Sequence, residues 1–562
     1  MFSIQKHIDR LCRQSKKPEF EEALEAWTGL DGIVDLVRAD VGQDEIVVYV
    51  NLGNAPTFMH AVMVPVSSLD EVEIKDMASW TLNPSDSWSI WGTSTIKPPL
   101  SGDCPEETEQ LVFVREFEGR TEEEKTYAEI LQKITHLFGL HQVDERNAYC
   151  RFDRNGDVEE VIRTFRFNKK DDGFSGIAVT FKRTILDDYM HFTNSVLIRQ
   201  FEIHHFEPDE FAGYGRGGEE AEHGIPELIY YRTFVAGAYA GYMQGAQIIR
   251  PSGSLDDAIR RLNGTEEYPK YASFIVRELK GGEVREVSCA PGATSSSFMK
   301  SDLPDEMSPA FFRAEVLSKY RADPDKYEIL HDRYISCRGV WVLRCYDTNE
   351  QDQVHTYLRY LRDLPYDEQI YWRSMNESPK GDISRRALTT DFKGMRFTEY
   401  DPLDSLRALL AKQDLCWWTL RSERLLRQVH YPAGDSAKEW GNAITQLDQF
   451  LVEGLEEKWL RKQAKALGCT EADRLRSLKL LEKCLIGLGL GEEHAREVTG
   501  PLHTLHNFRS EVGGSHASGS KAAATRKKVL AGHGTYRAHF RGLCAECHEA
   551  LKVIIKEFGE LC

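Results

Sequence analysis

The periodicity of this 562-residue chain changes once, and that change constrains the fold more than any single motif. Up to about residue 400, short β-branched runs alternate with turn-forming residues, as in Glu45-Ile46-Val47-Val48-Tyr49-Val50 and Ala61-Val62-Met63-Val64-Pro65-Val66 around Gly53-Asn54-Ala55-Pro56. From about Pro402 the strand signal disappears. Apolar residues then recur at helical spacing over 439–466, 471–488, 501–512 and 536–558. The expected fold class is therefore α+β, a mixed sheet-containing N-terminal region followed by an all-α C-terminal bundle of four or more helices. A chain of this length exceeds what one hydrophobic core supports. The expected regions are 1–245 (α+β), 246–400 (a second α+β region) and 401–562 (the bundle).

Local signals fill in that outline. Residues 1 to about 30 carry Ile8, Leu11, Phe20, Ala23 and Leu24 on one helical face. Residues 110–114 predict a third strand, and the acidic turn Thr121-Glu122-Glu123-Glu124 predicts a helix running to about Phe138. Asn155-Gly156 predicts a hairpin. Asp153, Asn155 and Asp157 imitate a calcium loop, but glycine stands at the fourth position instead of the sixth and Thr164 replaces the bidentate glutamate. Further strands are expected at 176–181, 195–203, 228–234, 271–277 and 340–345. The Gly213–Gly218 stretch lacks the lysine and hydroxyl of a phosphate loop and is expected to be a connector. Aromatic-rich stretches at 354–358 and 369–372 are expected to be helical. The loop Tyr431-Pro432-Ala433-Gly434-Asp435 precedes the first long helix, with Asp435 or Ser436 as its cap.

Composition excludes several classes. Hydrophobic residues make up 41% and charged residues 28%, and no apolar run approaches the roughly 20 residues that cross a bilayer, so no membrane partner is expected. Met1–Arg10 becomes charged too early for a secretory segment, which points to a cytoplasmic protein. The twelve cysteines are irregularly spaced and are expected to be reduced thiols. Cys544-Ala545-Glu546-Cys547-His548 matches a haem-attachment pattern but falls mid-helix, and no second CxxC pair completes a zinc site. No cofactor and no metal are expected.

Charge is uneven. Residues 501–562 hold nine Lys/Arg against five Asp/Glu, a balance of +4, so the preceding 500 residues carry −22 of the formal −18. Six of the eighteen histidines also lie there. A small, locally basic and histidine-rich patch suits a phosphate-bearing site better than a long nucleic-acid groove. Within it, Pro501 fits the first position of a helix and Gly513-Gly514 its stop. Arg509, seven residues after Leu502, points within about 20° of that apolar position. The glycines allow His516 to turn back beside it. Arginine supplies a permanent forked charge for phosphate, and histidine moves a proton near neutral pH. The same gap separates Arg216 from His223, Arg526 from His533 and Arg541 from His548. Only the Arg509 and His516 pair combines an inward-facing arginine, a helix end and a glycine turn.

The pattern Leu502-x2-Leu505-x3-Arg509-x3-Gly513-x2-His516, followed by a helix from about Ser520, resembles the HEPN superfamily and, within it, the abortive-infection C-terminal (Abi-C-like) domain. The resemblance covers about 125 to 160 C-terminal residues. It implies a metal-independent ribonuclease that acts as a toxin in prokaryotic antiviral defence, with Arg509 and His516 catalytic and RNA as partner. It also implies a homodimer or higher homo-oligomer. Members commonly carry Asn, Asp or His directly after the arginine. Ser510 stands there here, and Glu511 or His506 would take the supporting role. The larger N-terminal region would then sense an infection trigger or regulate the bundle.

Two other readings stand beside this one. HEPN bundles also serve as noncatalytic dimerisation or RNA-binding scaffolds. Alternatively, an enzyme resides in residues 30–400, where Asp347, His355, Asp391 and Lys393 are polar candidates in an aromatic-rich setting.

Overall fold

The structure is a computed structural model. It describes the chain apart from residues 1, 14–35, 54–56, 70–72, 79, 81–88, 92–94, 98–103, 106, 118–124, 169–174, 206–218, 226–227, 236–239, 266–268, 297, 331–332, 412–414, 435, 514–519 and 560–562. Two compact units emerge: residues 1–153 with 158–269, and residues 154–157 with 270–562. A sheet-containing N-terminal half and a helical C-terminal region make the fold α+β, as periodicity predicts.

The first unit is built on an eleven-stranded antiparallel sheet. In chain order its main strands are β1 (Glu45–Gly53), β2 (Thr57–Pro65), β3 (His141–Val143), β4 (Ala148–Phe152), β5 (Val158–Phe167), β6 (Ser175–Lys182), β7 (Ser195–His205), β8 (Glu219–Ile225), β9 (Leu228–Val235) and β10 (Ala240–Ile249). They lie side by side in the order β8-β9-β10-β7-β2-β1-β6-β5-β4-β3. Central strands β1 and β2 are buried on both faces, which is why they read as continuous apolar runs instead of alternating ones. Helix α1 (Ile4–Arg13) places Ile8 and Leu11 against one face, and α2 (Arg183–Thr193) places Ile185, Leu186 and Tyr189 against the other core. The hairpin at Asn155-Gly156 forms, with Gly156 at φ +74°.

One local expectation fails here. Lys125–Ile130 is a strand paired with Val112–Phe117, and only Gln132–Leu137 is helical. The acidic run that imitates a helix start lies outside the described residues, and cross-strand pairing overrides the local preference that follows it. The Gly213–Gly218 connector and the second half of the N-terminal helix prediction also lie outside them.

The second unit opens with two antiparallel sheets. One contains β11 (Ser273–Arg277), β12 (Val284–Ser288), β13 (Pro309–Arg313), β17 (Asp347–Thr348), β18 (Gln353–Tyr357) and β19 (Asn376–Glu377). The other contains β14 (Tyr327–Leu330), β15 (Tyr334–Cys337) and β16 (Trp341–Arg344). Residues 354–357 thus belong to the fully buried strand β18 and not to a helix, which begins only at Leu358. Five residues rich in Val, Thr and Tyr, buried on both faces, carry no periodicity to separate the two. The helix expected around 369–372 is α3 (Tyr366–Met375), which seats Trp372 edge-on against Phe312.

The bundle follows: α4 (Pro402–Ala411), α5 (Glu423–Gln428), α6 (Ala437–Leu451), α7 (Glu457–Ala466), α8 (Ser477–Gly487), α9 (Glu492–Val512), α10 (Ser520–His533) and α11 (Tyr536–Phe558). Ser436 caps α6 through the Glu439 N–H, and Asp435 lies outside the described residues. Trp440 stacks on Tyr536 at 4.9 Å and donates from Nε1 to Nδ1 of His539 at 3.2 Å, tying α6 to α11. The expected single helix over 439–466 breaks at Val452–Glu456, where Trp418 packs directly on Gly454.

Pro501 is not a helix start but lies inside α9, which begins nine residues earlier at Glu492. Proline removes one backbone donor. The helix nevertheless continues because Ala495, Val498, Thr499, Leu502 and Leu505 bury one stripe on both sides of it. No helix among the described residues is long and apolar enough to cross a membrane. Among the described residues ten cysteines are free thiols, as expected, whereas Cys416 is disulfide-bonded, contrary to the expectation of reduced thiols throughout. Cys544 and Cys547 lie buried in α11, where burial raises both thiol pKa values, which fits core packing and not haem attachment.

Candidate functional site at the end of helix α9

Helix α9 presents Leu502, Leu505 and Val512 to the core, while Arg509 sits at the border of that face with 31% of its side chain exposed. Opposite it, α6 carries Asp448 on an otherwise apolar stripe with Ile444, Leu447 and Leu451. Asp448 is completely buried, so its charge requires partners. It finds two on one face of α9. Arg509 Nη1 donates to Asp448 Oδ2 at 2.7 Å, and His506 Nδ1 lies 3.1 Å from Oδ1. Arg509 Nη1 also contacts Glu453, in the loop after α6.

The bond directions define the chemistry. A carboxylate only accepts, so the proton of the His506–Asp448 bond resides on Nδ1, and Nε2 is the ring nitrogen that this bond leaves unused. Both acids meet Arg509 through Nη1, while Nε and Nη2 form no hydrogen bond among the described residues. Burial works against the guanidinium charge, but the two carboxylates outweigh it and raise the Arg509 pKa. A fixed cation with unused forked donors therefore lies beside an oriented imidazole at a solvent-facing helix end.

Two further positions approach this cluster. Ser510 turns back to the His506 carbonyl at 3.1 Å, which leaves its hydroxyl satisfied within the helix. Glu511 points to α10, accepting from Thr525 at 2.7 Å and pairing with Lys521 at 3.1 Å. Neither Ser510 nor Glu511 contacts Arg509. Of the two candidates for the supporting role, only His506 stands in the cluster. His516 lies outside the described residues, in the 514–519 segment that follows Gly513. Gly513 is closely packed: a Cβ there would stand 2.8 Å from Thr445 Oγ1.

The other arginine and histidine pairs differ. Arg541 contacts Asp401 and the Tyr400 carbonyl, and His548 meets the Tyr400 hydroxyl at 3.0 Å. Arg526 folds back on the Ala522 carbonyl of its own helix. His223 has no described side chain, and Arg216 lies outside the described residues.

Three of the four polar candidates before residue 400 do gather. Asp347 and His355 are register partners across β17 and β18. Arg386 grips Asp347 with two bonds of 2.8 and 2.9 Å, and Arg333 holds Asp391. The Ser384 hydroxyl donates to Asp347 at 2.7 Å, and its backbone N–H donates to His355 Nε2 at 3.0 Å. The hydroxyl thus points at the carboxylate and not at the imidazole, so the trio lacks the hydrogen bond a serine nucleophile needs from its base. Burial depresses the His355 pKa to about 4 and keeps it neutral. Lys393 is exposed and stands apart.

Comparison with family models, curated proteins and solved structures finds no match.

Proposed function

We propose that this chain is a cytoplasmic HEPN-type ribonuclease effector of prokaryotic abortive-infection defence, working without a metal as a homodimer, with its N-terminal region as sensor or regulator. One observation supports this reading above the others. Arg509 and His506 share the buried Asp448 carboxylate at a solvent-facing helix end, directly before the segment that carries His516. Arg509 offers Nε and Nη2 to a phosphate. The 2′-oxygen of RNA attacks the neighbouring phosphorus, the bond to the 5′-oxygen breaks, and a 2′,3′-cyclic end remains. An imidazole, His516 or His506, takes the 2′-hydroxyl proton and returns one to the leaving oxygen, a contribution of about 10²- to 10⁴-fold. Arg509 stabilises the charge that develops on the phosphorane oxygens.

A second reading has its own support. Arg509 is already held by two acids, as in a purely structural pin, and a noncatalytic dimerisation or RNA-binding scaffold needs no more than that. Inducible expression of the full chain in a bacterial host separates the two. The nuclease reading expects growth arrest that Arg509→Ala and His516→Ala each relieve at unchanged protein level. Arrest that persists in both variants supports the scaffold.

A further inference from the structure

Within the second unit, a cavity of about 1240 Å³ opens between the segment around β17 and helices α4 and α11. It exceeds the roughly 300–1,000 Å³ common for small-molecule sites. Seven arginines line it and no lysine does. That bias selects planar, forked donors over point charges, the geometry that fits phosphate or carboxylate.

The seven fall into two groups. Arg333 and Arg386 form the inner wall, tied to Asp391 and Asp347, while Arg321 donates to the Tyr431 carbonyl at 2.7 Å. These three hold the wall in place. Of the other four, Arg385, Arg396 and Arg541 stand nearer solvent, while Arg537 lies over the Tyr431 ring, 5.0 Å from its centroid, and donates to the Pro432 carbonyl at 3.5 Å. Arg385 lies 3.7 Å from Glu350 and 3.9 Å from Glu399, and Arg537 lies 3.7 Å from Asp352. Arg541 lies 3.4 Å from Asp401 and donates to the Tyr400 carbonyl at 3.0 Å. Arg396 is exposed and has no ion-pair partner among the described residues. Ion pairs of this length and exposure are worth at most about 1 kcal/mol each, so a ligand's phosphates compete with them readily.

The opposing carboxylates narrow the ligand class. Glu350, Asp352, Glu399 and Asp401 repel a bare polyphosphate, yet they accept hydrogen bonds from ribose hydroxyls and base amino groups. Phe397 and Tyr400 add aromatic surface for a base. We infer that this cavity is a binding site for a nucleoside polyphosphate, with its phosphates on Arg396, Arg537 and Arg541 and its sugar and base facing the acids. This site is separate from the Arg509 cluster, and its test reads binding and not RNA cleavage.

The experiment is calorimetric titration of the purified full chain with ATP, GTP, CTP, UTP and inorganic triphosphate. At least one nucleotide is expected to bind in the micromolar range and at least tenfold more tightly than triphosphate. Arg396→Glu, a change at an exposed side chain, is expected to weaken it at least tenfold with an unchanged melting temperature. Arg537→Ala/Arg541→Ala is expected to weaken it further. The inference is overturned if no nucleotide binds below millimolar concentration, if triphosphate binds equally well, or if Arg396→Glu leaves the affinity unchanged.

Discussion

Arg199 in the first unit and Arg509 in the second each rest on a fully buried aspartate, yet they differ in their own burial and bonding. Arg199 is itself wholly buried. It donates to both oxygens of Asp40 at 2.8 and 3.0 Å, to the Val47 and Val37 carbonyls, and to Gln247 at 2.9 Å. Asp40 also accepts from the Val47 N–H at 2.7 Å. The pair therefore links the segment before β1 to the central strands β1, β7 and β10, and its burial exposes no donor to a ligand. Arg509 reaches its aspartate with one nitrogen, keeps 31% of its side chain exposed, and makes no hydrogen bond through Nε or Nη2 among the described residues. The contrast shows that a buried carboxylate does not by itself classify the arginine above it. The exposure of its remaining donors does.

The largest effect that tests this contrast is on stability. Arg199→Ala leaves Asp40 buried without its cation and is expected to lower the stability of the first unit by about 3–5 kcal/mol, read as a shift in the urea midpoint. Arg509→Ala leaves Asp448 with His506, and partial exposure weakens the pair, so a loss of about 1 kcal/mol or less is expected. Equal losses would break the distinction.

Acid gives the next largest effect, in the second unit. Burial depresses both His355 and His539 to about 4 from the ordinary 6.5. Each favours its neutral form when folded. Their stabilisation is complete above pH 6.5 and falls as pH drops toward 4, by a few kcal/mol in total, on the order of 1.4 kcal/mol for each tenfold loss of proton affinity on folding. Thermal melts between pH 7 and 4 check the sign. His539→Asn is expected to flatten the profile.

A smaller effect comes from the contact that sets the end of α9. A Cβ on Gly441 would stand 2.8 Å from the Val512 carbonyl oxygen. Gly441→Ala gains up to about 1 kcal/mol of helix propensity and loses about 1–3 kcal/mol to overpacking. A net loss of about 1 kcal/mol is expected in chemical denaturation. The smallest effect is expected from Glu453→Gln. It removes a competitor for phosphate worth about 0.5–1 kcal/mol and should tighten RNA binding by about two- to fivefold in filter binding.

Much of this architecture was legible from periodicity. Helix α11 matches its predicted span, and the strand-to-helix change at Pro402 coincides with the first helix of the bundle. Misreadings arose where tertiary contacts decide. The buried strand β18 carries no alternation, and Pro501 is tolerated because residues on both sides of it share one core. At the candidate site, Arg509 was legible but Asp448 was not, because its partners lie 58 and 61 residues away. A signal did exist. Asp448 interrupts the apolar stripe of Ile444, Leu447 and Leu451, and an acid in that position demands a cation from a neighbouring helix.

End-group analysis of a defined single-stranded RNA incubated with the purified full chain in chelator tests the central claim most directly. Fragments ending in 2′,3′-cyclic phosphate are expected, with yields falling at least about 100-fold in Arg509→Ala and His516→Ala. Intact RNA, or cleavage that survives both substitutions in folded protein, would contradict it.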